Sequence, residues 1–155
     1  MASPDIPPAA RADRRTLVGV WSQRSVIDYS LQRRATLLEL FRGSMGDGEA
    51  CDAHPYLLRA ARFHGEATDS PCPVCRRTNL THVTYVYGEE LGQFSGRVRA
   101  TAELEPMARQ HGEFRVYVVE VCQECAWNHL TLSYVLGDGV SRRPPRRQRT
   151  AEDDY

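Results

Sequence analysis

The chain has 155 residues, of which 41% are hydrophobic, so it is long enough for one ordinary globular core. Its 20 basic and 20 acidic residues balance to a net charge of zero, which excludes a strong overall attraction to nucleic acid or to an anionic membrane. No stretch approaches the roughly 18 consecutive apolar residues that a membrane-spanning helix needs.

The first 15 residues predict a disordered lead-in, because they combine prolines and charges with no apolar period. They also lack the apolar stretch of a signal peptide. We therefore expect a cytoplasmic protein that makes no contact with a membrane. In a reducing cytoplasm, paired cysteines are more often metal ligands or catalytic groups than disulfides.

Residues 16–66 predict a helical region with two helices. Up to Arg42, apolar residues recur at steps of three or four, the spacing of one helix face. After a glycine-rich turn, Pro55 suits the first turn of a second, shorter helix that ends near Gly65. Ser22 or Ser25 can cap the start of the first helix. Its apolar residues are Ile27, Leu31, Ala35, Leu38 and Phe41.

Residues 67–138 predict a small antiparallel sheet, because β-branched and aromatic segments alternate there with polar turns. We expect this β region to pack with the helical region as one domain, which gives an α+β fold. Strands are predicted at residues 82–87, 98–104, 114–121 and 129–136, and polar turns at 88–96 and 105–112.

The remaining residues, 139–155, predict a disordered arginine-rich tail. From Ser141 onward they hold five arginines, three acidic residues and two prolines, with no apolar period. A flexible and locally dense run of arginines suits nonspecific, salt-dependent contact with phosphates.

Four of the five cysteines form two Cys-x-x-Cys pairs, Cys72 with Cys75 and Cys122 with Cys125, separated by 46 residues. Two such pairs are the arrangement of a four-thiolate zinc site. A two-residue spacer lets one tight turn present both sulfurs to a single tetrahedral ion. The second pair falls at the tip of a predicted hairpin and the first pair precedes a predicted strand. We therefore predict a zinc-ribbon-like sheet that holds one structural Zn²⁺.

One alternative to this zinc site stays open, and the role of the fifth cysteine is open as well. One pair can instead act as a thiol–disulfide redox centre or sensor, although neither pair opens a clear helix, where such dithiols usually lie. Cys51 stands outside both pairs. It is either a small buried apolar residue or half of a reactive pair with His54.

Arginine doublets and nearby aromatics give candidate partner-binding residues. Arginines that directly follow the first cysteine pair, together with strand tyrosines, can present a basic face on which bases stack. The alternative is that the tyrosines are half-buried and the arginines cover them. The candidates are Arg76, Arg77, Trp127, Arg33, Arg34, Arg142, Arg143, Arg146 and Arg147.

Five segments resemble an uncharacterised actinobacterial family of small proteins with a domain of unknown function. The resemblance implies a cytoplasmic protein of GC-rich bacteria, which agrees with the absence of lysine, and it implies no activity. The segments are DYSLQRRA (28–35), CDAHPYLLRAARFHG (51–65), PCPVCR (71–76), VTYVYGEEL (83–91) and VEVCQECAWNHL (119–130).

These features favour a non-enzymatic zinc-binding interaction module. Its expected partner is RNA, the transcription or translation machinery, or a regulatory protein, and no small-molecule substrate is evident. Phosphate loops and the common hydrolase and metalloprotease motifs do not occur in the sequence. The alternatives are the redox protein described above and a structural or scaffolding protein that binds its partner through the helical half.

Overall fold

The computed structural model describes residues 22–142. The predicted lead-in, the first residues of the predicted helical region and the tail beyond Arg142 lie outside the described residues. The partner-binding candidates Arg143, Arg146 and Arg147 lie there too.

A six-stranded antiparallel sheet organises the described chain. Along the sheet the strand order is β1-β6-β5-β3-β2, and the short strand β4 pairs with β3. The strands are β1 (Arg24–Asp28), β2 (Glu66–Pro71), β3 (Asn79–Tyr87), β4 (Arg97–Val98), β5 (Phe114–Val121) and β6 (Asn128–Leu136). With its helices, this sheet confirms the predicted α+β class and the strands expected at 82–87, 114–121 and 129–136.

Four α-helices connect the strands. They are α1 (Ser30–Phe41), α2 (Asp47–Ala50), α3 (Pro55–His64) and α4 (Thr101–Gln110), and a 3-10 segment spans Glu89–Phe94. The shorter helix predicted to begin at Pro55 is thereby confirmed as α3. None of the helices in the described part of the chain is long and apolar enough to cross a membrane.

The strand register gives the sheet two faces with different cover. Val86 lies opposite Val116, which lies opposite Tyr134, and these three side chains pack with Leu104 and Ala108 of α4. We call this side the α4 face. On the other side, which we call the α3 face, side chains of β3 and β5 pack against α3.

The predicted strand at residues 98–104 is wrong beyond Val98, because helix α4 begins at Thr101. The alternation in VRATAEL resembles a strand, but the Glu103 carboxylate accepts a hydrogen bond from the backbone N–H of Ala100 at 2.7 Å and caps a helix. Most of the predicted polar turn at 105–112 is the rest of that helix, which ends at Gln110. Its buried residues Leu104 and Ala108 have the four-residue spacing of one helix face.

The first predicted helix also begins later than expected. Arg24–Asp28 form the edge strand β1, and the Asp28 carboxylate accepts a hydrogen bond from the Ser30 N–H at 2.7 Å. Asp28 therefore makes the side-chain contact at the helix start that was expected of Ser22 or Ser25. The apolar stripe on α1 points away from the sheet, since Leu31 is 72% exposed and Phe41 is 62% exposed.

Candidate metal centre

The sheet brings the two cysteine pairs to the same end of the molecule. Cys72 and Cys75 lie in the turn between β2 and β3, and Cys122 and Cys125 lie in the turn between β5 and β6. Strands β3 and β5 are antiparallel neighbours, with Thr81 opposite Val121. The start of β3 and the end of β5 therefore meet, and the 46-residue separation in sequence disappears in space.

The four sulfurs form a cluster of the size that one metal ion requires. All four lie within 4.8 Å of one another. Sγ of Cys72 is 3.7 Å from Sγ of Cys125, and Sγ of Cys75 is 3.6 Å from Sγ of Cys122. A tetrahedron with metal–sulfur bonds of about 2.3 Å has edges of about 3.8 Å. The cluster can hold one tetrahedrally coordinated ion.

The two turns share one backbone conformation. In the first, the N–H of Arg76 donates to the carbonyl of Cys72, and in the second, the N–H of Ala126 donates to the carbonyl of Cys122. Arg76 has φ of 56° and Ala126 has φ of 69°, a left-handed conformation that costs a non-glycine residue about 1 kcal/mol or more. Two matching strained turns indicate that both are shaped to present sulfurs.

Apolar side chains shield the sulfur cluster from solvent. Cys72 and Cys122 are fully buried, and Cys75 and Cys125 are half-buried. Leu40 of α1, Leu80 of β3 and Trp127 pack around them. A site with four protein thiolates and little solvent access leaves no position for a water or a substrate on the metal.

The thiols of the cluster have pKa values that are shifted in opposite directions. A hydrogen bond from the Arg77 backbone N–H lowers the pKa of the Cys75 thiol to about 6. Burial raises the pKa of Cys122 and that of Cys125 to about 12. Buried thiols this close do not all ionise together unless a positive charge compensates them, and a divalent ion is one group that can supply such a charge.

Cys51 lies against the sulfur cluster, and this contact was not predicted from the sequence. Its sulfur is 3.6 Å from Sγ of Cys125, and the segment around it is held to the second turn by a hydrogen bond from the Ala53 N–H to the Ala126 carbonyl. His54, suggested as a reactive partner of Cys51, has a hydrogen-bond partner of its own. Nδ1 of His54 accepts a hydrogen bond from the Tyr56 N–H and caps α3.

Trp127, predicted as a partner-binding residue, is fully buried. Its Nε1 donates a hydrogen bond to the Glu120 carboxylate at 3.0 Å, and its ring stacks on His129 with centroids 5.9 Å apart. Nε of Arg33 donates to the same carboxylate oxygen, Oε1. Arg33 therefore ties α1 to the hairpin of β5 and β6 that carries Cys122 and Cys125, which we call the cysteine hairpin.

The other arginine candidates in the described residues are exposed. Arg76 and Arg77 follow the first cysteine turn, and Arg77 lies 3.9 Å from Glu124 of the second turn. Arg34 is exposed on α1. Arg142 makes a short ion pair with Asp138, 2.6 Å between Nη2 and Oδ2. Of these residues, Arg77 lies beside the sulfur cluster, since its backbone N–H donates to the Cys75 sulfur.

Glu120 is a buried charged residue that was not predicted from the sequence. It is 5% exposed and accepts hydrogen bonds from two side chains. The sequence signal that could have identified it is a single carboxylate within the apolar, β-branched run VVEVC. A charged side chain in such a run is buried only when hydrogen-bond or ion-pair partners are present.

Comparison with known proteins gives a family and no activity. The model described as "Family of unknown function (DUF5318)" matches residues 20–151. Similar proteins include "Uncharacterized protein Rv0049" of Mycobacterium tuberculosis (strain ATCC 25618 / H37Rv) and "Uncharacterized protein Mb0050" of Mycobacterium bovis. Each is 52% identical over 120 residues, which cover 77% of this chain and 88% of the relative. No solved structure matches the chain significantly.

Proposed function

This chain belongs to the DUF5318 family, whose function is unknown, and from that premise we propose that it is a non-enzymatic zinc-binding interaction module. Cys72, Cys75, Cys122 and Cys125 hold one structural Zn²⁺, and the surface that the ion stabilises contacts RNA, the transcription or translation machinery, or a partner protein. The module works in the cytoplasm, where thiolate ligands stay reduced.

The convergence of the four sulfurs within 4.8 Å carries this proposal. Four soft thiolates in a tetrahedron suit zinc, and iron is the main competitor for such a set. The two matched turns between strands are the arrangement of a zinc ribbon, here with α4 and strand β4 inserted between the pairs. Because the coordination is complete without a water, the ion stabilises the fold and does not catalyse a reaction.

Metal analysis of the purified chain tests the proposal. We expect one zinc ion per chain by elemental mass spectrometry, with no iron. Cys122→Ser removes one of the four sulfurs, so we expect loss of the bound zinc and loss of the cooperative thermal transition, because a structural zinc site contributes directly to folding.

Cys51→Ser is the matched control. It removes the sulfur that touches Cys125 but belongs to neither pair, and we expect it to retain one zinc per chain. A metal-free chain that keeps a cooperative thermal transition contradicts the proposal, as does a Cys122→Ser variant that still binds zinc.

A redox function is the second candidate, and the position of Cys51 favours it. Its sulfur lies 3.6 Å from that of Cys125, close enough for a disulfide to form after a small movement. A working dithiol needs free thiolates, which a zinc site does not offer. A metal-free protein with a reversible Cys51–Cys125 disulfide supports this candidate.

The scaffolding alternative draws on the exposed stripe of α1. Leu31, Leu38 and Phe41 are all exposed on that helix. An apolar stripe of this kind fits a groove on a partner protein.

A further inference from the structure

Five sulfurs, and not four, meet at the candidate metal centre. Sγ of Cys51 is 3.6 Å from Sγ of Cys125, about the same as the distances of 3.6 and 3.7 Å that join the clustered sulfurs in pairs. A tetrahedral zinc ion takes four thiolates. With the two Cys-x-x-Cys pairs as its ligands, the ion leaves Cys51 as a thiol outside the coordination sphere, in contact with a ligand sulfur.

Two hydrogen bonds hold the segment of Cys51 against the second cysteine turn. Oδ1 of Asp52 accepts one from Nδ2 of Asn128 at 2.9 Å, and the N–H of Ala53 donates the other to the carbonyl of Ala126, also at 2.9 Å. Each of these residues lies within three positions of one of the two cysteines. A disulfide bond is about 2.0 Å long, so the sulfurs need to approach by only about 1.6 Å more.

Both sulfurs of this contact can be reached from outside. Cys51 and Cys125 are half-buried, whereas Cys72 and Cys122 are fully buried. A cysteine that binds a metal stays in the thiolate form, which is the nucleophilic form. A small oxidant such as hydrogen peroxide can therefore react at the outer side of the Cys125 sulfur, although the ion itself has no open position.

We propose that Cys51 and Cys125 are a peroxide-sensing site, in which oxidation joins the two sulfurs in a disulfide and releases the zinc ion. This inference rests on the proposed zinc site, whose regulation it describes. Unlike a metal-free dithiol, the site uses the ion to hold Cys125 as a thiolate. Cys51 is the favoured partner because it is not a ligand. Its disulfide removes one thiolate from the ion, whereas a disulfide between Cys75 and Cys122 removes two.

The reaction consumes one molecule of hydrogen peroxide in two steps. The Cys125 thiolate attacks one peroxide oxygen, the O–O bond breaks and hydroxide leaves, so the sulfur loses two electrons and becomes a sulfenic acid. The Cys51 thiol then attacks that sulfur, an S–S bond replaces the S–O bond, and the hydroxyl leaves as water with the Cys51 proton. Peroxide is thereby reduced to water and hydroxide, and the ion has lost one ligand.

Loss of the ion transmits the oxidation to the fold. Leu40 of α1, Ala50 of α2 and Trp127 pack with the sulfurs in one buried cluster. A structural zinc site contributes directly to folding, so release of the ion loosens the packing of α1 and α2 on the sheet. The site thereby converts the presence of peroxide into a change in the surface that the module presents.

Peroxide treatment of the full-length, zinc-loaded protein tests this inference. Zinc content is measured first, in protein purified with a reductant that is then removed. Hydrogen peroxide is added, and released zinc is followed with a metal-sensitive dye. We expect the loss of one zinc per chain. We also expect the ion to bind again when a thiol reductant and zinc are added, because a disulfide is reversible whereas a sulfinic acid is not.

Peptide mapping identifies the disulfide in the natural chain. The sequence has no lysine, so trypsin cuts after arginine and places Cys51 in peptide 43–59, the first cysteine pair in 63–76 and the second pair in 116–142. We expect oxidation to join 43–59 to 116–142, and fragmentation of the joined peptides to place the bond at Cys125. Linkage of 63–76 to 116–142 is the internal comparison, because it reports oxidation between metal ligands alone.

Substitutions separate the Cys51 thiol from other oxidisable sulfurs. Cys51→Ser keeps all four metal ligands, and we expect it to bind one zinc and to retain the ion through an exposure that empties the natural chain. Met45→Leu is the matched control, because Met45 is an oxidisable sulfur outside the metal ligands that packs against the same cluster. We expect Met45→Leu to release zinc as the natural chain does.

Several results overturn this inference and leave the metal site standing. One is a zinc-loaded chain that keeps its ion under peroxide, and another is release that Cys51→Ser leaves unchanged. A third is oxidised protein in which only peptides 63–76 and 116–142 are joined. Release that Met45→Leu prevents assigns the effect to methionine oxidation. A chain that holds no zinc before peroxide is added contradicts the metal site itself, and this inference with it.

Discussion

At the scale of single residues, the hydrogen bonds of Glu120 explain how the helical and β regions are joined. A buried carboxylate is costly unless charged or polar donors satisfy it. Here Trp127 donates from within the cysteine hairpin and Arg33 donates from α1. One oxygen therefore links the second cysteine turn to the first helix. Arginine suits this contact because its guanidinium stays charged and directs several N–H groups.

Arg33→Ala is expected to lower the free energy of unfolding by on the order of 2 to 3 kcal/mol, because it leaves the Glu120 charge buried with one neutral donor. Arg34→Ala is the matched control, since Arg34 is the exposed neighbour, and its effect is expected to stay within about 0.5 kcal/mol. Urea unfolding followed by circular dichroism measures both. Equal midpoints for the two variants would show that the Glu120 contact carries no stability.

At the scale of elements, the strands with strong β-branched patterns were predictable and the others were not. Strands β3, β5 and β6 follow the predicted segments closely, because burial on both faces selects valine, tyrosine and leucine. Strand β2, EATDSP, is an exposed edge strand, so no apolar period marks it. Helix α4 was missed because its first residues alternate like a strand, and only the spacing of Leu104 and Ala108 shows the helix face.

Leu104→Ala tests the placement of α4. Leu104 is 1% exposed in the core that α4 forms with the sheet. We expect a loss of about 2 to 5 kcal/mol in the free energy of unfolding, from lost burial and the cavity left behind. Leu31→Ala, on the exposed stripe of α1, removes the same atoms where no cavity forms, and its loss is expected to be below about 1 kcal/mol. Comparable losses in chemical denaturation would contradict the packing of α4.

At the scale of the whole molecule, the candidate metal centre lies where the helical region and the β region meet. Leu40 of α1, Ala50 of α2 and Leu80 of β3 share one buried cluster with Cys72 and Cys122. We propose on this basis that the described part of the helical region, residues 22–66, and the β region, residues 67–138, fold as one domain around the ion. The pairing of the Cys-x-x-Cys motifs was predictable from spacing alone. Cys51 was not, because its approach to Cys125 depends on how α2 and α3 pack.

Removal of the metal is expected to unfold both regions together. Chelation should abolish the near-ultraviolet dichroism of buried Trp127 and most helical signal in one transition, because α1 loses the surface on which Leu40 packs. Hydrogen exchange checks this by region. Protection that persists in α1 and α3 while the sheet exchanges freely would show two independently folding parts.

X-ray absorption at the zinc edge of the purified protein tests the central claim most directly, because it counts and identifies the atoms bound to the ion. The account predicts four sulfur neighbours at about 2.3 Å and no nitrogen or oxygen neighbour, both in the natural chain and in Cys51→Ser. A shell that contains nitrogen or oxygen, or one that loses a sulfur in Cys51→Ser, would contradict a closed site built from Cys72, Cys75, Cys122 and Cys125.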